Sequence, residues 1–277
     1  MNIANKNDEI IVKEVLENLN LKYECHKYFN DGVSSRVLLL NNKYLIKQNT
    51  ALALEAEVEF LKLNTGDMIQ KIIYVDPEYK YVVYGFMEGN TMKDVKDVDD
   101  TIEKLLNIVN SYKKYDKKGY GYYDELVDTW EEFLLSEIEE SSKNIKEYIP
   151  NNELAVDCVT LLRKYPFEKK IIHGDFGTHN FIENNSKLTG IIDPQSVLGD
   201  PLYDILFAFV SNVDILQEIT LERLDYLLNE DKEKIYAMLV IVLYSRISRC
   251  LKYHKEDIDI YMNYWRYLEN KKSNYLC

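Results

Sequence analysis

Apolar and polar positions follow two different rhythms along the chain, and the change falls near residue 90. Before it, short apolar runs lie between turn-forming residues. Arg36-Val-Leu-Leu-Leu and Lys43-Tyr-Leu-Ile-Lys47 read as two strands joined through Asn41-Asn42, a pair suited to the left-handed turn of a hairpin. Residues 54–63 repeat at helical spacing and are stopped by Asn64-Thr65-Gly66. Residues 69–75 and 79–86 are further strand candidates around Asp76-Pro77-Glu78, and Met87-Glu88-Gly89-Asn90 closes the segment. Beyond Thr91 the spacing predicts long helices over 98–115, 124–148 and 153–165. Three short β-like pieces, 170–173, 180–183 and 188–192, interrupt them before helices resume. The pattern predicts an α+β chain in two lobes. Residues 1–88 form a small antiparallel sheet with one helix, and 89–277 a larger, mainly helical lobe with a β insertion; the hinge lies near 85–90. A crevice between lobes is the usual place for a ligand.

Composition narrows the partners. The chain has 277 residues, with 34 Lys and Arg against 47 Asp and Glu, a formal net charge of −13. That balance argues against a nucleic-acid partner and against an anionic membrane surface. The 46% apolar share is that of a globular protein. The longest apolar stretch, 237–244, is too short to cross a bilayer. The polar N-terminus does not read as a signal peptide, and four dispersed cysteines read as reduced, so a cytoplasmic location is expected.

One window carries chemistry: His173-Gly-Asp-Phe-Gly-Thr-His-Asn180, followed by Ile191-Ile-Asp-Pro194. Phosphoryl transfer from a nucleotide needs a carboxylate to orient the acceptor hydroxyl and take its proton. It also needs oxygen ligands for a Mg²⁺ that bridges the phosphates. Asp175 fits the first role, Asn180 with Asp193 the second, and Gly174 and Gly177 permit tight turns. Alone, His-Gly-Asp is a common hydrogen-bonded turn. The fixed offset to Asn180, the Ile-Ile-Asp and a following Gly199-Asp-Pro-Leu-Tyr-Asp204 together make chance a poor explanation.

This combination resembles the aminoglycoside phosphotransferase family, which is related to choline and fructosamine kinases and more distantly to protein kinases. The resemblance implies a two-lobed protein-kinase-like fold. In it Asp175 would be the catalytic Asp, Asn180 and Asp193 the magnesium ligands, His173 a structural residue, and Asp204 a tie from the loop to the helix behind it. Pro194 departs from the Phe or Leu of many relatives, and the absence of an activation segment after Asp193 disfavours a protein substrate.

The same resemblance implies a phosphate-holding Lys on a strand with a Glu on the next helix. Lys47 takes the first place by its order in the chain. Glu57, on the apolar face with Leu54 and Leu61, and Glu55, which fits the family's spacing, both remain open for the second. Ser34 and Ser35 stand where the family covers the nucleotide, although Gly32 is the single glycine there and the full glycine-rich pattern is missing. The Gly85 carbonyl and Met87 amide would receive the purine of ATP or GTP. Tyr84 would stand at the gatekeeper position, or simply in the core.

The expected activity is transfer of a γ-phosphate to a hydroxyl of a small, cationic, aminoglycoside-like acceptor, with antibiotic resistance as its consequence. Acidic residues over 124–132 and 137–140, placed on one predicted helix, would attract such a cation or would simply be a solvated face. Tyr261, Tyr264, Trp265 and Tyr267 allow an alternative, a kinase of choline, a ketosamine or another metabolite, or else belong to the core. A nucleotide-binding pseudokinase is the alternative from another class.

Overall fold

The computed structural model describes residues 5–29 and 35–276. The first lobe is built on a five-stranded antiparallel sheet of order β1-β2-β3-β5-β4. Its strands are β1 (His26–Phe29), β2 (Arg36–Leu40), β3 (Tyr44–Gln48), β4 (Ile72–Val75) and β5 (Val82–Gly85). The β2–β3 hairpin turns on Asn41 and Asn42, both left-handed with φ 54° and 52°, as the Asn pair predicts. Asn41 also ties down the chain before β1, accepting from the Glu24 and Cys25 amides and donating to the Lys22 carbonyl.

Two helices, not one, flank this sheet. Helix α1 (Lys6–Asn18), capped by Asn5, lays Ile11, Val12 and Val15 on Leu38, Leu40, Ile46, Tyr81 and Val83. Its i, i+1, i+4 apolar pattern is short and diluted by charges, so the expectation of alternating runs in the first ninety residues passes over it. Helix α2 (Ala51–Leu63) starts three residues earlier than the apolar spacing indicates because Thr50 caps it through the Ala53 amide.

The chain leaves β5, and β6 (Asn90–Thr91) joins a second sheet of order β10-β9-β6, with β9 (Phe181–Asn184) and β10 (Lys187–Ile191). Gly89, at φ 144°, lets the chain pass the Glu183 carbonyl, which a Cβ would meet at 2.4 Å. A third sheet sets β11 (Val197–Gly199) between β7 (Gly121–Tyr122) and β8 (Lys170–Ile172).

Helices α4 (Trp130–Ile145), α5 (Glu153–Leu162), α6 (Pro201–Val210), α8 (Leu221–Leu227) and α10 (Ile258–Lys271) pack on α9 (Lys232–Tyr253), and α3 (Val98–Ser111) and α7 (Val213–Glu218) pack on α6. The apolar run 237–244 is the centre of α9 and is completely buried. Among the described residues no helix is long and apolar enough to cross a membrane.

The helix expected over 124–148 begins only at Trp130. Thr129 and Glu132 form a reciprocal capping box, and the preceding chain is held in a turn by paired bonds between Tyr120 and Val127. The acidic residues before Thr129 therefore lie on a loop, not on the helix, whereas Glu137 and Glu140 do lie on α4.

Candidate active site

Lys47 lies within β3, 6% exposed, and its ammonium is held between two carboxylates. Its Nζ donates to Glu57 Oε2 at 2.8 Å and to Asp193 Oδ1. Burial would lower the Lys47 pKa, but Glu57 and then Asp193 raise it above the ordinary range, so it is a fixed cation. Burial pushes Glu57 up, and Lys47 opposes that shift. Glu57 alone of the α2 acids meets the lysine. Residues two apart on a helix face away from each other, so Glu55 instead accepts from the Tyr123 hydroxyl at 3.4 Å and Glu59 from Tyr115 at 3.0 Å.

The second lobe supplies the remaining groups from one turn. Gly174, at φ 80°, is required there: a Cβ would stand 2.6 Å from Val197 Cγ2. Gly177 has an ordinary φ of −115°, so its place is a matter of space, since a Cβ would strike the His179 ring at 2.8 Å. The buried Asp204 carboxylate, at the start of α6, accepts from the His173 amide at 2.7 Å and the Gly174 amide at 3.0 Å. Burial raises its pKa to about 7 against the pull of those two amides.

His173 is fully buried, and burial pushes it down to about 4, so it is neutral. Its Nε2–H donates to the Ile192 carbonyl at 2.9 Å, and its Nδ1 accepts from the Asp175 amide at 3.3 Å. The ring thereby joins the two loops that carry Asp175 and Asp193.

Asp175 Oδ2 contacts His179 Nε2 at 2.8 Å and Asn180 Nδ2 at 3.0 Å, while Oδ1 accepts from Arg249 Nη1 at 3.2 Å. Burial would raise this carboxyl, but His179 and then Arg249 hold it well below the usual carboxylate range. It is a carboxylate at neutral pH. Asn180 also donates to the Asp175 carbonyl at 2.9 Å, which leaves its Oδ1 without a partner among the described residues. The Ile192 amide bonds the Asn180 carbonyl at 3.0 Å and brings Asn180 beside Asp193. Asp193 is left-handed at φ 61° with its side chain 53% exposed.

Among the described residues no cluster of three His, Cys, Asp or Glu could by itself hold a metal. Asn180 Oδ1 and the Asp193 carboxylate are hard oxygen donors. Such a pair suits a Mg²⁺ that takes its other ligands from phosphates and water.

The structure also places the remaining candidates. Gly85 ends β5 with its amide on the Lys71 carbonyl at 2.9 Å, and its carbonyl receives a long 3.5 Å contact from Gln70 Nε2. The Met87 side chain covers Gly190 on β10, where a Cβ would fall 2.3 Å from Met87 Cε. Ser35 is half-buried just before β2, and Ser34, like Gly32, lies outside the described residues. Tyr84 is completely buried; its hydroxyl lies near the Glu57 carboxylate, and neither it nor Glu57 Oε1 makes a hydrogen bond of ordinary geometry among the described residues.

The aromatics of α10 serve the core. Tyr261 accepts from Arg246, Tyr264 donates to the Ile219 carbonyl, Tyr267 accepts from the Leu221 amide, and Trp265 packs against Tyr244. Tyr261 and Trp265 are buried, while Tyr264 and Tyr267 are half-buried.

Two groups at Asp175 lie beyond what the sequence pattern singles out. His179 is visible inside the motif, four residues after Asp175. Arg249 comes from α9, 74 residues away, and its only sequence signal is a basic residue at the end of an apolar helix.

Comparisons with known proteins bear on the family and the fold. Residues 27–235, well over half the chain, match the model of the family described as APH, phosphotransferase enzyme family. A thermostable mutant of aminoglycoside phosphotransferase APH(4)-Ia in its apo form is similar with a TM-score of 0.64 at 14% identity, covering 94% of this chain and 99% of that one. A thermostable mutant of the same enzyme in ternary complex with AMP-PNP and hygromycin B gives 0.63 at 14%, covering 92% and 96%. The GDP complex of wild-type aminoglycoside 2'-phosphotransferase-IIIa gives 0.54 at 17%, covering 97% and 99%. No curated protein matches at a significant level. At these identities the structures establish the fold, the two-lobed protein-kinase-like arrangement of aminoglycoside phosphotransferases.

Proposed function

The chain belongs to the phosphotransferase enzyme family, and from that premise we propose that it transfers the γ-phosphate of ATP or GTP to a hydroxyl of a small, cationic, aminoglycoside-like acceptor. The observation that carries this reading is the meeting of Lys47 and Glu57 from the first lobe with Asp193 from the second, next to the loop of Asp175 and Asn180.

In this reading Asp175 orients the acceptor hydroxyl and takes its proton as the oxygen bonds to the γ-phosphorus. The bond from that phosphorus to the bridging oxygen breaks, and nucleoside diphosphate leaves. Lys47, kept charged and aimed by Glu57, holds the phosphates. Asn180 and Asp193 would hold Mg²⁺, which supplies neutralisation of the phosphate charge when bound. Gly85 and Met87 offer backbone groups to the purine, and the sequence assigns Ser34 and Ser35 the phosphate-covering role. The domain reading, 1–88 for nucleotide and 89–277 for acceptor, follows from this division of labour.

The cationic acceptor is supported by the surplus of acidic residues, including Glu137 and Glu140 on α4, and by the hygromycin B complex of the similar enzyme. An intact Asp, Asn and Asp set speaks against a pseudokinase. The test is phosphate transfer by the full chain over a panel of aminoglycosides with ATP and GTP, beside Asp175→Asn. Turnover in that variant should fall by about 10³-fold or more with nucleotide affinity kept. Near wild-type turnover would overturn the mechanism. Expression in a susceptible bacterium should raise the inhibitory concentration of the acceptor drug.

A further inference from the structure

The side of Asp175 that an acceptor must approach is already furnished. Oδ2 is occupied by His179 and Asn180, so the hydroxyl to be phosphorylated must come to Oδ1, which it would share with Arg249. The Arg249 guanidinium lies over the Phe207 ring, 4.8 Å from its centroid, and spans two carboxylates. Its Nη1 is 3.2 Å from Asp175 Oδ1, and its Nη2 is 3.8 Å from Glu137 Oε2. Both contacts exceed the 2.7–2.9 Å of a closed charge-assisted pair, so the fork keeps unused donors.

Glu137, on α4, is itself only loosely held, by the Tyr122 hydroxyl at 3.2 Å. The buried Tyr203 hydroxyl, which feels the Glu137 charge, has no hydrogen-bond partner among the described residues. Arg249, Glu137 and the Tyr203 hydroxyl thus keep hydrogen-bonding capacity that no described residue fills, and the Arg249 and Glu137 side chains, 27% and 16% exposed, can be reached by an incoming group.

We propose that Arg249 and Glu137 form the acceptor-positioning pair and select a polyhydroxylated ring whose transferred hydroxyl neighbours another oxygen. The proposal rests on the reading of Asp175 as the acceptor-facing carboxylate. Arg249 donates to the neighbouring oxygen, and Glu137 accepts from the next hydroxyl or ammonium around the ring. A compact ammonium alcohol such as choline is excluded. Its cation lies two carbons from the hydroxyl, carries no N–H for Glu137, and falls beside the guanidinium, where like charges repel. Of the α10 aromatics that would compensate, Tyr261 and Trp265 are in the core, and Tyr264 and Tyr267 are half-buried with their hydroxyls bonded to the Ile219 carbonyl and the Leu221 amide.

The test is calorimetric titration of the full chain, saturated with Mg²⁺ and a non-hydrolysable ATP analogue, with hygromycin B, myo-inositol and choline. At least one ring compound should bind the wild type, and choline should not. Arg249→Met should lose tenfold or more of the ring affinity with nucleotide affinity unchanged, and Arg249→Lys should recover part of it, because an ammonium lacks the fork. Glu137→Gln, which leaves the Arg249–Asp175 contact in place, should weaken ring binding in the same direction and serves if Arg249→Met does not fold.

Choline binding as tight as the ring compounds, no binding of either ring, or unchanged ring affinity in these variants would overturn the proposal. Failure of the phosphotransfer reading shows differently, as absent Mg²⁺-nucleotide binding in the wild type or transfer that survives Asp175→Asn.

Discussion

A single register choice on α2 determines which carboxylate completes the lysine pair. Glu57 is 3% exposed and bonded to Lys47, whereas Glu55 points toward Tyr123. Glu57→Gln should raise the nucleotide KM by about tenfold by loosening a buried charge, and Glu55→Gln should leave it within about twofold. Steady-state kinetics with varied nucleotide decide between them. His173 offers a test at the same scale. Burial lowers its pKa from 6.5 to about 4, so the folded protein binds fewer protons than the unfolded chain between those values. Its stabilising contribution is present above pH 6.5 and is lost as pH falls toward 4, by about 3 kcal/mol in all. Asp204, raised to about 7, titrates with the opposite sign over the same window, so the loss is read as a difference. In urea unfolding from pH 7 to 4, His173→Asn should start from a lower stability and lose less, or gain more, than the wild type as pH falls.

At the scale of elements, caps and space set the boundaries that apolar spacing leaves loose. Thr50 extends α2 backward, and the Thr129–Glu132 box delays α4 until Trp130. The acidic loop 124–128 is thereby freed from the helix, a local choice that helix-like spacing cannot reveal because the cap competes with it. Position 174 shows how little freedom the loop before Asp175 has. Gly174→Ala combines φ 80° with a 2.6 Å approach to Val197, so it should destabilise the protein by about 2 kcal/mol or more and depress turnover further by moving Asp175. Thermal unfolding and kcat measured together would show both. Helix α1 is hard to see in the sequence because its apolar face makes sense only against the outer side of a sheet that assembles from β1, β2, β3 and β5.

For the whole molecule, the Lys47–Asp193 ion pair is a contact between lobes made by residues 146 apart in the chain. Mg²⁺ with nucleotide should engage both ends, so saturation at a hundred times Kd should stabilise the fold by about 2.7 kcal/mol. In a thermal-shift assay EDTA should remove most of that gain and Asp193→Asn should reduce it. If both leave it intact, these residues do not hold the metal. Much of this organisation was legible in the chain itself: two apolar rhythms marked two lobes, the Asn pair marked its hairpin, and the motif from His173 to Asp193 carried its offsets within twenty-one consecutive residues. Such features are local, decided by backbone preference and short-range spacing. The choice of Glu57 over Glu55, the burial of Tyr261 and Trp265, the covering helix α1 and the approach of Arg249 to Asp175 depend on which faces meet after the lobes form. Those were decided by packing, because burial and charge neutralisation act between residues that only the folded chain makes neighbours.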